Sequence, residues 1–106
     1  FRYRFRNGVK TVIAIEDGQI VGTATLLLEK KFIHKGAMAG HIEDVAVHPD
    51  FQKRGVGKAL IAFLVELAEK FACYKVTLHC DDDLAVFYEK CGMRRAGSQM
   101  RFDVRR

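Results

Sequence analysis

Apolar and polar positions alternate along this chain with a period that switches between that of a strand and that of a helix. Residues 11–15 (TVIAI) and 20–28 (IVGTATLLL) are rich in branched apolar side chains and predict two strands. Asp17-Gly18 between them is a hairpin turn signature, and Gly22 inside the second run predicts a bulge or a close approach. A polar, glycine-containing connection (EKKFIHKGAMAG) leads to a third predicted strand at 41–47 (HIEDVAV), ended by Pro49. The three are expected to form an antiparallel meander. From Gly55 to about Phe71, Leu60, Ile61, Leu64, Leu67, Ala68 and Phe71 recur at helical spacing, with Lys58, Glu66, Glu69 and Lys70 on the other face. Residues 74–80 (YKVTLHC) predict a fourth strand. The segment DDDLAVFYEKCG predicts a short helix, with an aspartate capping an acidic first turn and Gly92 ending it. A last strand is predicted at 98–104 (SQMRFDV). The order β-β-β-α-β-α-β implies an α/β domain over residues 1–106: a mixed, mostly antiparallel sheet with helices packed on it.

Length and charge narrow the classes of function without choosing among them. The chain has 106 residues, near the lower end of the single-domain range. Its longest apolar stretch, ALIAFLVELA, is broken by charge before reaching the ~18 residues of a membrane span, so no membrane role is expected. Residues 1–7 alternate aromatic residues with arginines, unlike a signal peptide. A start at Phe1 rather than Met suggests a trimmed or partial chain. The net charge of +5 suits an acidic partner, whether nucleic acid or a phosphorylated small molecule. Nucleic acid is disfavoured because no predicted strand face interleaves aromatic and basic residues. The three cysteines, Cys73, Cys80 and Cys91, form no CxxC pair and no zinc spacing with histidine, so no metal is expected. An odd count without a secretory signal favours reduced thiols in the cytoplasm, with Cys73 and Cys80 read as small buried hydrophobes.

The segment VAVHPDFQKRGVGKAL carries the clearest chemistry: a strand, a turn, and glycines at the mouth of a long helix. A helix N-terminus offers unpaired N–H groups and positive dipole charge to an anion. Gly55 and Gly57 remove side chains where phosphate would approach, and Lys53, Arg54 and Lys58 add charge. Gln52 and Ala59 exclude a P-loop, and Leu60 stands where a dinucleotide fingerprint needs its third glycine. A glycine-loosened helix start that binds nothing is the plain alternative.

At these residues the chain resembles the GNAT acetyltransferases, whose pyrophosphate loop reads Gln/Arg-x-x-Gly-x-Gly/Ala. Gln52, Gly55 and Gly57 match it. The resemblance implies that Gln52, Lys53, Arg54, Gly55, Val56, Gly57 and Lys58 hold the pyrophosphate of acetyl-CoA. Backbone groups of Val45, Ala46 and Val47 would then bind its pantetheine arm. More narrowly, the blocks KFIH, GHIEDVAV, CYK and FYEKCG are similar in order and spacing to glucosamine-6-phosphate N-acetyltransferases. That similarity implies sugar-phosphate contacts from Lys31, Phe32, Ile33 and His34, from Glu43 and Asp44, and from Tyr74 and Lys75. Tyr88 falls on the tyrosine that stabilises the departing thiolate, and Glu43 and Asp44 join it as catalytic candidates. The family also implies direct attack in a ternary complex, a product feeding amino-sugar nucleotide synthesis (UDP-N-acetylglucosamine), and a homodimer with the C-terminal strand near its interface.

Acetyl transfer needs a neutral amine, a donor for the thioester oxyanion and a proton for the leaving sulfur. Adjacent strand residues Glu43 and Asp44 point to opposite faces unless a bulge turns the strand. Taken singly, either carboxylate reads as a salt-bridge partner and Tyr88 as core packing. His34, His41 and His48 read as surface histidines, none assigned as a base. The chain departs from the pattern at His79, where relatives carry an aspartate that helps orient the amine and only the main-chain carbonyl remains for that task. It departs again at Leu84, in place of a cofactor-contacting asparagine, and at Asp103, in place of a phosphate-binding arginine for which Arg101 or Arg105 would have to substitute. Relatives also have a strand and one or two helices before TVIAI, of which residues 1–7 would be the tail. The rival readings are a GNAT enzyme for another amine and a non-catalytic acyl-CoA-binding module.

Overall fold

The structure is a computed structural model that describes residues 2–6 (backbone only), 8–31 and 36–104. Its elements are β1 (Arg2–Arg6), β2 (Val9–Glu16), β3 (Gln19–Lys31), β4 (Ala37–Val47), a 3₁₀ turn (Pro49–Phe51), α1 (Val56–Lys70), β5 (Cys73–Leu78) and α2 (Asp82–Lys90). The strands lie in chain order in one sheet. β1 to β4 pair antiparallel, and β5 joins β4 in parallel after the α1 crossover. The meander and the crossover are therefore as the pattern predicts. β1 extends the sheet beyond that pattern, and the polar connection is shorter than expected because β3 and β4 continue into it.

Strand alternation puts Val12, Ala24, Leu26 and Ile42 on one sheet face, where they meet Leu60, Ile61 and Leu64 of α1. All seven are at most 2% exposed, and burying each large apolar side chain contributes roughly 1.5–3 kcal/mol. Asp17 and Gly18 both adopt positive φ (50° and 76°), the backbone of a tight primed hairpin turn. Gly22 is a point of close approach: a Cβ there would lie 2.9 Å from Leu60 Cδ1 and 3.0 Å from Val56 Cγ1. The helix start thus sits directly on β3.

Three local expectations are corrected. Residues 98–104 form no strand, and Met100, Phe102 and Val104 are 86–89% exposed. A period-two pattern specifies that a segment is suited to pairing, not which edge it pairs with. Asp81 occupies the N-cap position of α2, but its side chain makes no capping hydrogen bond. Cys80 is exposed and Cys73 half-buried, so only the latter approximates a core thiol; Cys80 lies just past the end of β5, where the alternation that buries a strand residue no longer applies.

Candidate active site

β4 outruns its neighbour. Its last pair with β5 is Ile42 with Leu78, whereas its pairing with β3 continues to Val47 opposite Gly22. In that unaccompanied stretch the register shifts, Thr25 facing Glu43 but Thr23 facing Ala46, and Asp44 takes φ 55°. An extra residue is accommodated there, which is a β-bulge. The bulge turns the strand at Asp44, so Glu43, Asp44 and Val45 line one cavity of about 370 Å³ together with Leu78, His79, Leu84 and Tyr88. A second cavity of about 500 Å³ shares Leu78, His79, Cys80, Tyr88 and Gln99 with the first.

Tyr88 is half-buried on α2, its ring edge-on to Phe87 at 4.9 Å. Its carbonyl accepts hydrogen bonds from the N–H groups of Cys91 and Met93, which fixes the helix end. Burial raises the phenol's pKa above its ordinary value, and the neighbouring Cys80 and Cys91 raise it further. The hydroxyl therefore stays protonated and able to donate at neutral pH.

At the mouth of α1, Lys53 (φ 62°) and Gly55 (φ 84°) shape a tight loop. Gly55 has no side-chain cap and the first turn has no acidic residue, leaving the leading N–H groups of Val56, Gly57 and Lys58 directed at the loop. A Cβ on Gly55 would meet nothing within 4 Å. Gly57 carries a second constraint: its added Cβ would lie 3.1 Å from Phe87 Cζ and 3.6 Å from Val47 Cγ2. Packing against α2 and β4 thus favours a small residue here, whatever else approaches it. Gln52 donates through Nε2 to the Val47 carbonyl at 3.3 Å, fastening the loop to the end of β4. Arg54 is engaged by Glu16 at 3.2 Å and lies over the Phe51 ring, 4.8 Å from its centroid.

The remaining candidates lie along the sheet face opposite α1. Lys31 pairs with Glu29, and the carboxyl of Glu29 is held below its ordinary pKa by the hydrogen bond and charge of Lys31, with smaller contributions from His41 and Lys75. Lys75 lies over the Tyr74 ring, 5.5 Å from its centroid. Beyond them His41 Nδ1 meets Thr77 Oγ1 at 3.0 Å and His41 Nε2 meets Glu43 Oε1 at 3.6 Å. The face thus runs from lysines at one end to Glu43 and Asp44 at the other, roughly 13 Å along β5 from Lys75 to His79 at about 3.3 Å per residue. His41 and Thr77 were missed in the sequence, although His41 stands two residues before Glu43 and shares its face by strand parity. Phe32, Ile33, His34 and Arg105 lie outside the described residues. Asp103 is paired with Arg101 at 2.7 Å. Among the described residues, no group of three or more His, Cys, Asp or Glu side chains is arranged to hold a metal ion, and no helix is long and apolar enough to cross a membrane.

Known proteins share this architecture and much of this sequence. The family model described as "Acetyltransferase (GNAT) family" matches residues 1–93. A glucosamine 6-phosphate N-acetyltransferase of Schizosaccharomyces pombe is 46% identical over 93 residues, covering 85% of this chain and 84% of the relative. One of Trypanosoma brucei brucei is 43% identical over 103 residues, covering 95% and 70%. The crystal structure of glucosamine-6-phosphate N-acetyltransferase from Arabidopsis thaliana superposes with a TM-score of 0.87 at 37% identity, covering 92% of this chain and 68% of that one. The bulged strand, the glycine loop at the helix mouth and these similarities lead to one conclusion: the chain belongs to the GNAT acetyltransferase family, and within it to the glucosamine 6-phosphate N-acetyltransferases.

Proposed function

We propose that this protein transfers acetyl from acetyl-CoA to the 2-amino group of glucosamine 6-phosphate, giving N-acetylglucosamine 6-phosphate for amino-sugar nucleotide synthesis. The observation that carries the reading is the meeting of bulged β4 and Tyr88 in one cavity, at the acidic end of a face whose other end is basic. A sugar phosphate has the matching polarity, anionic at one end and an ammonium at the other.

In this reading acetyl-CoA is a substrate. Its pyrophosphate rests on the first-turn amides of α1 with Lys53 and Lys58 nearby, a fit favoured by the uncapped, acid-free helix start. Arg54 reaches it on release from Glu16, and Gln52 holds the loop in place. Backbone groups of Val45, Ala46 and Val47, beyond the end of β5, pair with the pantetheine arm. Glu43 and Asp44 hold the ammonium, while Lys31, Lys75 and Tyr74 serve the sugar-phosphate end with Phe32, Ile33 and His34. Inside one ternary complex the amine lone pair bonds to the thioester carbon, the C–S bond breaks, and Tyr88 supplies the hydrogen bond the sulfur needs as charge grows on it.

We further propose that residues 1–106 act as one catalytic domain in the cytoplasm, where free Cys73, Cys80 and Cys91 stay reduced. The chain would work as a homodimer, pairing that would cover the exposed Met100, Phe102 and Val104. Mass spectrometry of the product formed from acetyl-CoA and glucosamine 6-phosphate tests the reaction. A product carrying one added acetyl on nitrogen supports it, and unchanged sugar phosphate beside an acetylated polyamine or peptide control would transfer the reading to another amine.

A further inference from the structure

We propose that His79 accepts the proton of the substrate ammonium and that His41 is its positioning residue; this rests on the acetyltransferase reading above. The two imidazoles lie with ring centroids 5.2 Å apart and planes tilted by 56°. His41 is held from two sides, by Thr77 Oγ1 at 3.0 Å and Glu43 Oε1 at 3.6 Å, so its orientation is fixed by neighbours on β4 and β5. His79 is exposed and lines both cavities together with Tyr88, and shares the smaller one with Glu43 and Asp44. An imidazole at this place borders the cavity proposed for the amine and is open to solvent.

The amine needs such a group. It arrives as an ammonium and must lose a proton before its lone pair can attack. In the proposed step an imidazole nitrogen of His79 takes that proton, and the freed pair forms the C–N bond as the C–S bond breaks. The second nitrogen-bound proton ends on the sulfur by way of the Tyr88 hydroxyl. The proton on His79 leaves to solvent, and the balance is one amide, one thiol and one proton.

The surroundings tolerate the transient imidazolium. The groups sharing its cavities are Glu43 and Asp44 from β4, Asp82, Tyr88 and Glu89 from α2, Asp81 at the α2 N-cap, the adjacent Cys80, and Arg94 and Arg95 beyond α2. His41 stands against its ring. Carboxylates outnumber the two arginines, and Glu43 offsets His41 directly.

The test is kcat against pH for wild type, His79→Gln, His79→Asn and His41→Gln, with glucosamine 6-phosphate and acetyl-CoA both saturating. The pH dependence of kcat reports groups in the ternary complex. Wild-type kcat is expected to rise with pH along a limb that depends on His79. Both His79 variants should lose that limb and fall by about 10²–10⁴-fold near neutrality, the usual contribution of a positioned base, with acetyl-CoA affinity retained. His41→Gln should keep a limb at a displaced pH with a smaller fall. An unchanged limb and rate in the His79 variants would overturn the proposal while leaving the acetyltransferase reading intact. Wild-type protein that releases no coenzyme A with any amine would remove both.

Discussion

Tyr88→Phe is the most informative single change in the reaction centre. The substitution removes one oxygen and keeps the ring against Phe87. Among the described residues the hydroxyl has no protein hydrogen-bond partner to lose. Stability should therefore move by no more than about 0.5 kcal/mol, the range of changes that disturb no packing or buried network. The rate should move far more. A donor aimed at charge that develops only in the transition state is typically responsible for at least ~10²-fold in kcat, about 2.7 kcal/mol of barrier. Coenzyme A release measured with a thiol reagent, together with a thermal midpoint on the same preparation, separates the two effects. There is also an alkaline signature. Because burial raises the folded phenol's pKa above 10.0, the folded state holds its proton more tightly than the unfolded one. The stability this supplies is complete below about pH 10 and is lost as pH rises through the higher folded value. Tyr88→Phe should lack that alkaline loss. A variant with normal kcat, or one with a lowered midpoint and a normal rate per folded molecule, would refute the assigned role and leave Tyr88 a packing residue.

Other consequences can be checked without turnover. Gly22→Ala would set a methyl 2.9 Å from Leu60 Cδ1; overpacking of about 1–3 kcal/mol is expected, lowering Tm by roughly 4–8 °C per kcal/mol, and an unchanged Tm would contradict the close approach. Cys80 is exposed, whereas burial raises the thiol pKa of Cys73 and Cys91; since the thiolate is the nucleophile, iodoacetamide with peptide mapping should label Cys80 first, and earlier labelling of either other cysteine would contradict the burial. Sedimentation should show a dimer that Phe102→Asp shifts to monomer; a wild-type monomer would sink the dimer proposal.

What the sequence made legible follows from what each pattern physically encodes. Leu60, Ile61 and Leu64 at helical spacing, and the hairpin at Asp17-Gly18, are local signals, and the structure places them as read. The bulge at Asp44 was legible only as a condition: two adjacent carboxylates cannot share a site without it, but nothing local says that β5 stops at Leu78 while β4 continues. The same limit applies to residues 98–104, whose alternation is strand-like yet pairs with no strand among the described residues. Gly57 shows that one residue type can answer two demands, of which the motif names only one. It matches the pyrophosphate loop, while its small size is also favoured by Phe87, 30 positions away by sequence numbering. The contacts of His41 with Thr77 and His79 cross two strands, and no spacing rule announces them.

The central claim is acetyl transfer to a phosphorylated amino sugar, and the most direct measurement compares kcat/KM for glucosamine 6-phosphate and glucosamine with acetyl-CoA as donor. Charge-assisted contacts from Lys31 and Lys75 to the phosphate are expected to contribute roughly 1.5–3 kcal/mol each. One such contact, at 1.4 kcal/mol per decade, already predicts a preference of about ten- to a hundredfold for the phosphorylated sugar. Equal kcat/KM for the two sugars, or no coenzyme A release from either, would contradict it.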